Sequence, residues 1–133
     1  ARRGAGATMT VCGTPAYLAP EAVVHGAFGA PSDIYALGIM LLETFANEPP
    51  FPKNMGGMRV LHMVVKRGYR PPLPADMPPQ LVALVKQCLL TEPERRPTLK
   101  QIVLTLKRLL ASDDVAAVDA AAAATYRARA AKR

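Results

Sequence analysis

The sequence predicts a mainly α-helical chain, and three observations carry that prediction. Apolar residues recur every three or four positions from Leu81 to Leu89 and from Leu99 to Leu110, which is the spacing of one helix face. A further stretch, Ile34 to Phe45, is apolar on nearly every side. No stretch alternates apolar and polar residues in the way a half-buried strand requires.

The elements follow in order. Residues 1–7 show no apolar period and read as a flexible basic end. Residues 8–20 hold Gly13, Pro15 and Pro20 and read as an extended loop. A short helical turn is expected from Pro20, then a loop from His25 to Pro31. Pro31-Ser32-Asp33 opens the next helix, with Ser32 or Asp33 placed to cap it. Between Ile34 and Asn47 the one charged residue is Glu43. A helix so apolar must be surrounded by protein, and the rest of the chain looks too small to surround it.

Asn47 to Gly57 reads as a loop. Met58 to Lys66 reads as a helix with Met58, Leu61, Val64 and Val65 on one face, and Gly68 ends it. Five prolines between Pro71 and Pro79 force extended backbone. That run reads either as a stiff connector or as a ligand for a proline-binding partner. Gln80 to Leu90 is amphipathic, with Leu81, Leu84, Val85, Cys88 and Leu89 inward. Thr98 and Gln101 stand at capping-box spacing before the last helix. Residues 112–133 form an Ala-rich basic tail; alanine favours helix, but this tract has little apolar face.

Composition bounds the rest. A chain of 133 residues is one domain at most. Half of its residues are apolar, so wholesale disorder is excluded. Two cysteines and no CxxC pattern give neither a disulfide framework nor a metal site; an intracellular, cytoplasmic chain is expected. The longest dense apolar stretch, Tyr35 to Leu42, falls short of the roughly 20 residues a membrane span needs. The net charge is +7, and nearly half of it lies in the two ends. Without basic–aromatic alternation those ends read as solvated tails, and no nucleic-acid partner is expected.

Three segments, in order and over residues 8–110, resemble the carboxy-terminal lobe of a eukaryotic-type protein kinase. Thr8 to Glu21 resembles the end of the activation segment and closes in Ala19-Pro20-Glu21. Ser32-Asp-Ile-Tyr-Ala-Leu-Gly38 resembles the start of the lobe's central helix, which would explain its apolar surface. Glu92-Pro-Glu-Arg-Arg-Pro-Thr98 resembles the segment holding the arginine that pairs with the Ala-Pro-Glu glutamate. The later helices look most like the tyrosine-kinase-like group, although Tyr35 and Leu89 stand where tryptophan is common.

The resemblance implies roles at matched positions. Glu21 and Arg96 form a buried ion pair tying the activation segment to the lobe. Asp33 accepts backbone amides of the catalytic loop, or is an ordinary cap. Thr14 and Pro15 face the substrate, and Thr14 favours Ser/Thr over tyrosine specificity. Thr10 is a candidate activating phosphosite, with Thr8 behind it.

The motifs of phosphoryl transfer are absent: a glycine-rich loop, a strand lysine, a catalytic Asp and metal-binding Asn and Asp. The resemblance therefore implies a partial kinase domain over residues 8–111, whose missing amino-terminal part is its partner. ATP and Mg2+ would serve the full-length kinase and protein substrates would receive phosphate, while this chain alone is inactive and binds neither. The alternative is a non-catalytic, pseudokinase-like helical interaction module.

Overall fold

The computed structural model describes residues 14–112 and, in the tail, residues 123, 127, 128, 130 and 131. The expectations for Thr8 and Thr10 lie outside the described residues. Thr14 opens a 3-10 turn over Pro15–Tyr17. Five α-helices follow between residues 14 and 112: α1 (Pro20–His25), α2 (Ala30–Ala46), α3 (Gly57–Lys66), α4 (Pro79–Cys88) and α5 (Leu99–Ala111). A second 3-10 turn, Pro93–Arg95, leads into α5. The described residues contain no strand.

The helix boundaries have local causes. Proline stands in the first turn of α1, α2 and α4, where its missing N–H costs nothing. The cap of α2 corrects the expectation for Ser32 and Asp33. Gly29 holds the cap position, and Ser32 lies in the first turn. The Ser32 hydroxyl accepts the Gly29 N–H and donates to the Gly29 carbonyl, both at 2.8 Å. Asp33 sits one residue further in, exposed, with its own N–H given to the Gly29 carbonyl. The helix begins before the polar pair because Pro31 fits its first turn. At α5 the Thr98 hydroxyl accepts the Gln101 N–H and the Gln101 side chain accepts the Thr98 N–H. In the tail, Ala131 donates to the Arg127 carbonyl.

The core forms where α2 meets α4. Ile34, Tyr35, Ile39 and Leu42 of α2 are buried, as are Leu81, Leu84, Val85, Cys88 and Leu89 around α4. Gly38 makes the approach close: a Cβ there would lie 2.7 Å from the Cys88 Cβ. Full burial of a side chain such as Ile39 stabilises by about 1.5–3 kcal/mol. On α2, Leu37, Leu41 and Phe45 are half-buried and Met40 is 54 % exposed. The apolar helix is thus only partly surrounded by the described chain.

Two faces differ from the expected ones. On α3 the buried residues are Val60, Leu61 and Val64, whereas Met58 is exposed. Met58 is the second residue of the helix, and its side chain lies 75 % exposed, off the buried face that Val60, Leu61 and Val64 form. On α5 Ile102 is buried, but Leu99 and Leu110 are exposed. The proline run joins α3 to α4, with Pro71 and Met77 buried and Pro72 and Pro79 exposed. No described helix is long and apolar enough to cross a membrane.

Candidate functional site

The Thr14–Glu21 segment crosses one end of the helical core. Its backbone turns at Thr14, whose carbonyl accepts the Tyr17 N–H at 3.0 Å, and Pro15 accepts from Leu18 at 3.3 Å. Thr14 is exposed and Pro15 half-buried. Ala19 and Pro20 are buried, which fixes the segment to the core as it enters α1.

Two polar contacts hold this segment in place. The nearer one joins Tyr17 to Glu43 on α2, with the phenol donating to the carboxylate. That bond, with burial and the carboxylate's charge added, holds the Tyr17 phenol protonated above the usual range. Glu43 was visible in the sequence as the lone charge on an apolar helix, but nothing there named its partner.

The second contact spans 75 residues. Arg96 is 1 % exposed at its side chain and grips Glu21 with two nitrogens, at 2.6 and 2.8 Å. Its other donors go to the carbonyls of Leu90 and Pro31, at 2.8 Å each, and Thr91, at 3.4 Å. One guanidinium therefore ties α1, the start of α2 and the end of α4 together. A bidentate fork of this kind is the strong form of ion pairing.

Arg70 was not singled out by sequence reasoning. It donates to the carbonyls of Leu89 and Tyr69 at 2.8 and 2.9 Å. Its guanidinium carbon lies 5.2 Å from the Tyr35 ring centroid, and that of Arg96 lies at the same distance. The buried Tyr35 ring thus has two cations as neighbours, an arrangement that attracts electrostatically. Its hydroxyl is buried and has no hydrogen-bond partner among the described residues. Burial raises the Tyr35 pKa, and the two arginines partly oppose that.

The structure brings Thr14 and Asp33 to one small hollow of about 120 Å³, shared with Tyr17 and Phe28. A larger hollow of about 310 Å³ opens on the other side of Thr14 and Pro15, against Tyr17, Glu43, Phe51 and Gly57. Cys88 is buried away from both, and burial lifts its thiol to about 11.

The model of the protein kinase domain matches residues 2–105. The chain belongs to the protein kinase family. Among its relatives, the probable serine/threonine-protein kinase drkB of Dictyostelium discoideum is 36 % identical over 104 residues, covering 78 % of this chain and 15 % of the relative. The probable serine/threonine-protein kinase drkA of the same organism is 35 % identical over 104 residues, covering 78 % of this chain and 16 % of the relative. The dual specificity protein kinase shkC, also from that organism, is 34 % identical over 98 residues, or 74 % of this chain and 19 % of the relative. The chain thus spans less than a fifth of the length of these kinases. The helical architecture fits the carboxy-terminal lobe of a protein kinase. The family uses ATP and Mg2+. Among the described residues no group of three or more His, Cys, Asp or Glu side chains is placed to hold a metal ion.

Proposed function

We propose that this chain is the substrate-side, helical part of a serine/threonine protein kinase. In this reading the whole protein transfers phosphate from ATP to serine or threonine hydroxyls of proteins. The residues described here bind and orient the acceptor segment; the transfer chemistry belongs to residues outside them. Kinase catalysis is mostly positioning and charge stabilisation, so a rigid acceptor platform is a sufficient role for this part.

The observation that carries the reading is the Arg96–Glu21 fork, which fixes the segment carrying Thr14 and Pro15 to the core. The Tyr17–Glu43 bond supports it from the other side. Thr14 is exposed, which leaves its hydroxyl available to the acceptor and to catalytic groups. Asp33 shares a hollow with Thr14 and is assigned to backbone amides of the catalytic loop. Thr10 is the assigned activating phosphosite, four residues before Thr14. A phosphate there adds about −1.5 to −2 charges and orders the loop through arginine pairing.

Two substitutions test the reading in the full-length protein. Thr14→Ala is expected to lower peptide phosphorylation by about tenfold or more through lost positioning, and Thr14→Ser to retain it. Equal activity in both refutes the role of Thr14. The 133-residue chain alone is expected to give no saturable heat on titration with ATP and Mg2+. Saturable binding would refute the division of labour. Phosphopeptide mapping of the activated full-length protein checks Thr10, and an unmodified Thr10 removes the switch.

A further inference from the structure

The α3 helix starts close against the Thr14–Glu21 segment of the chain itself. Its first residue, Gly57, faces Pro15, and a Cβ built on Gly57 would lie 2.8 Å from the Pro15 Cγ and 3.6 Å from its Cβ. Real side chains do not tolerate such a distance, and Pro15 is a closed ring that cannot swing aside as a long side chain would. Gly56, the preceding residue and the cap of α3, has no described atom within 4 Å of where its Cβ would be. Of the two adjacent glycines, Gly57 has the Pro15 ring against it and Gly56 does not.

We infer that Gly57 is a positioning residue for the acceptor-facing segment, its missing side chain letting the Pro15 ring seat on the first turn of α3. Pro15 closes the turn that carries Thr14, because its carbonyl accepts the Leu18 N–H while Thr14 accepts from Tyr17. The seat also forms part of the hollow of about 310 Å³ that Thr14, Tyr17 and Glu43 line. A methyl group at Gly57 pushes the ring, opens the turn and moves Thr14. No residue of the ATP-handling machinery is involved, so the effect falls on the acceptor side. The inference rests on the reading of Thr14 and Pro15 as substrate-facing.

The test compares Gly57→Ala with Gly56→Ala, in two readouts. The first is hydrogen exchange of the Tyr17 and Leu18 amides in the full-length protein, a readout that needs no activity. Gly57→Ala is expected to speed both, and Gly56→Ala to leave them unchanged. The second is steady-state kinetics of the full-length protein. Gly57→Ala is expected to raise KM for a peptide substrate about tenfold, with KM for ATP unchanged. Adding Pro15→Ala to Gly57→Ala removes the ring the new methyl meets and is expected to restore slow exchange, even if Gly57→Ala alone fails to fold. Equal exchange in the two glycine variants, or no restoration by Pro15→Ala, overturns the inference. A full-length protein with no phosphotransfer but the expected exchange pattern keeps the Gly57 seat and overturns the functional reading instead.

Discussion

Glu21→Ala removes two of the five hydrogen bonds that the Arg96 guanidinium makes. It also leaves a cation whose side chain is 1 % exposed without its bidentate carboxylate. Breaking a buried ion pair from one side costs about 3–5 kcal/mol. Arg96 keeps its backbone acceptors at Leu90, Pro31 and Thr91, so the expected loss is about 3 kcal/mol, at the lower end. Arg96→Ala strands those three carbonyls and a carboxylate that is 13 % exposed, and also uncovers Tyr35; about 4–5 kcal/mol is expected. The double variant leaves neither charge and is expected to lose no more than Arg96→Ala alone, a coupling of about 3 kcal/mol. Urea unfolding followed by helical circular dichroism measures all three. With a slope of about 1–1.5 kcal/mol/M, Glu21→Ala lowers the midpoint by about 2–3 M at unchanged slope. Losses that add to within about 0.5 kcal/mol would refute the pairing as the tie between α1 and the core.

Other expectations follow from single contacts. Tyr35→Phe removes a buried hydroxyl with no partner among the described residues and is expected to stabilise the chain by about 1 kcal/mol in the same urea assay; a loss of that size would mean the hydroxyl has a partner. Gly38→Ala places a methyl 2.7 Å from the Cys88 Cβ and 3.0 Å from a Leu89 methyl. Overpacking is expected to cost about 1–3 kcal/mol, outweighing the helix-propensity gain of about 1 kcal/mol; a raised melting temperature would contradict it. The Cys88 thiol lies at about 11 in the fold against 9.0 for a free thiol. Its contribution to stability is therefore fully present below pH 9 and lost as pH rises towards 11, because the unfolded thiol ionises first. The alkaline decline in stability is expected to be shallower in Cys88→Ala, and an identical pH profile would refute it.

Much of this architecture was legible in the residues. The three- and four-residue spacing placed α4 and α5 within two residues of their ends, and Thr98 with Gln101 marked the start of α5 through chemistry local to one turn. The cap of α2 is not legible in the sequence because Ser32 satisfies backbone groups from inside the helix as readily as from its cap. Burial on α3 and α5 was less legible, since spacing shows which residues share a face but not whether a neighbour covers it: Met58 and Leu99 have the right spacing and remain exposed. The Glu21 and Arg96 positions were singled out through motifs matched to a family, because 75 residues of separation leave no periodic trace. Arg70 and Gly57 had no such trace and no motif. Their roles come from a guanidinium above Tyr35 and a proline ring against a missing Cβ, which are properties of packing alone.

The most direct measurement is phosphoamino-acid analysis of a mixed serine, threonine and tyrosine peptide set after incubation with the full-length protein, labelled ATP and Mg2+. Label on serine and threonine, lost in Thr14→Ala, is the expected result. Label confined to tyrosine, or none on any peptide, would contradict the assignment of this chain to the acceptor side of a serine/threonine kinase.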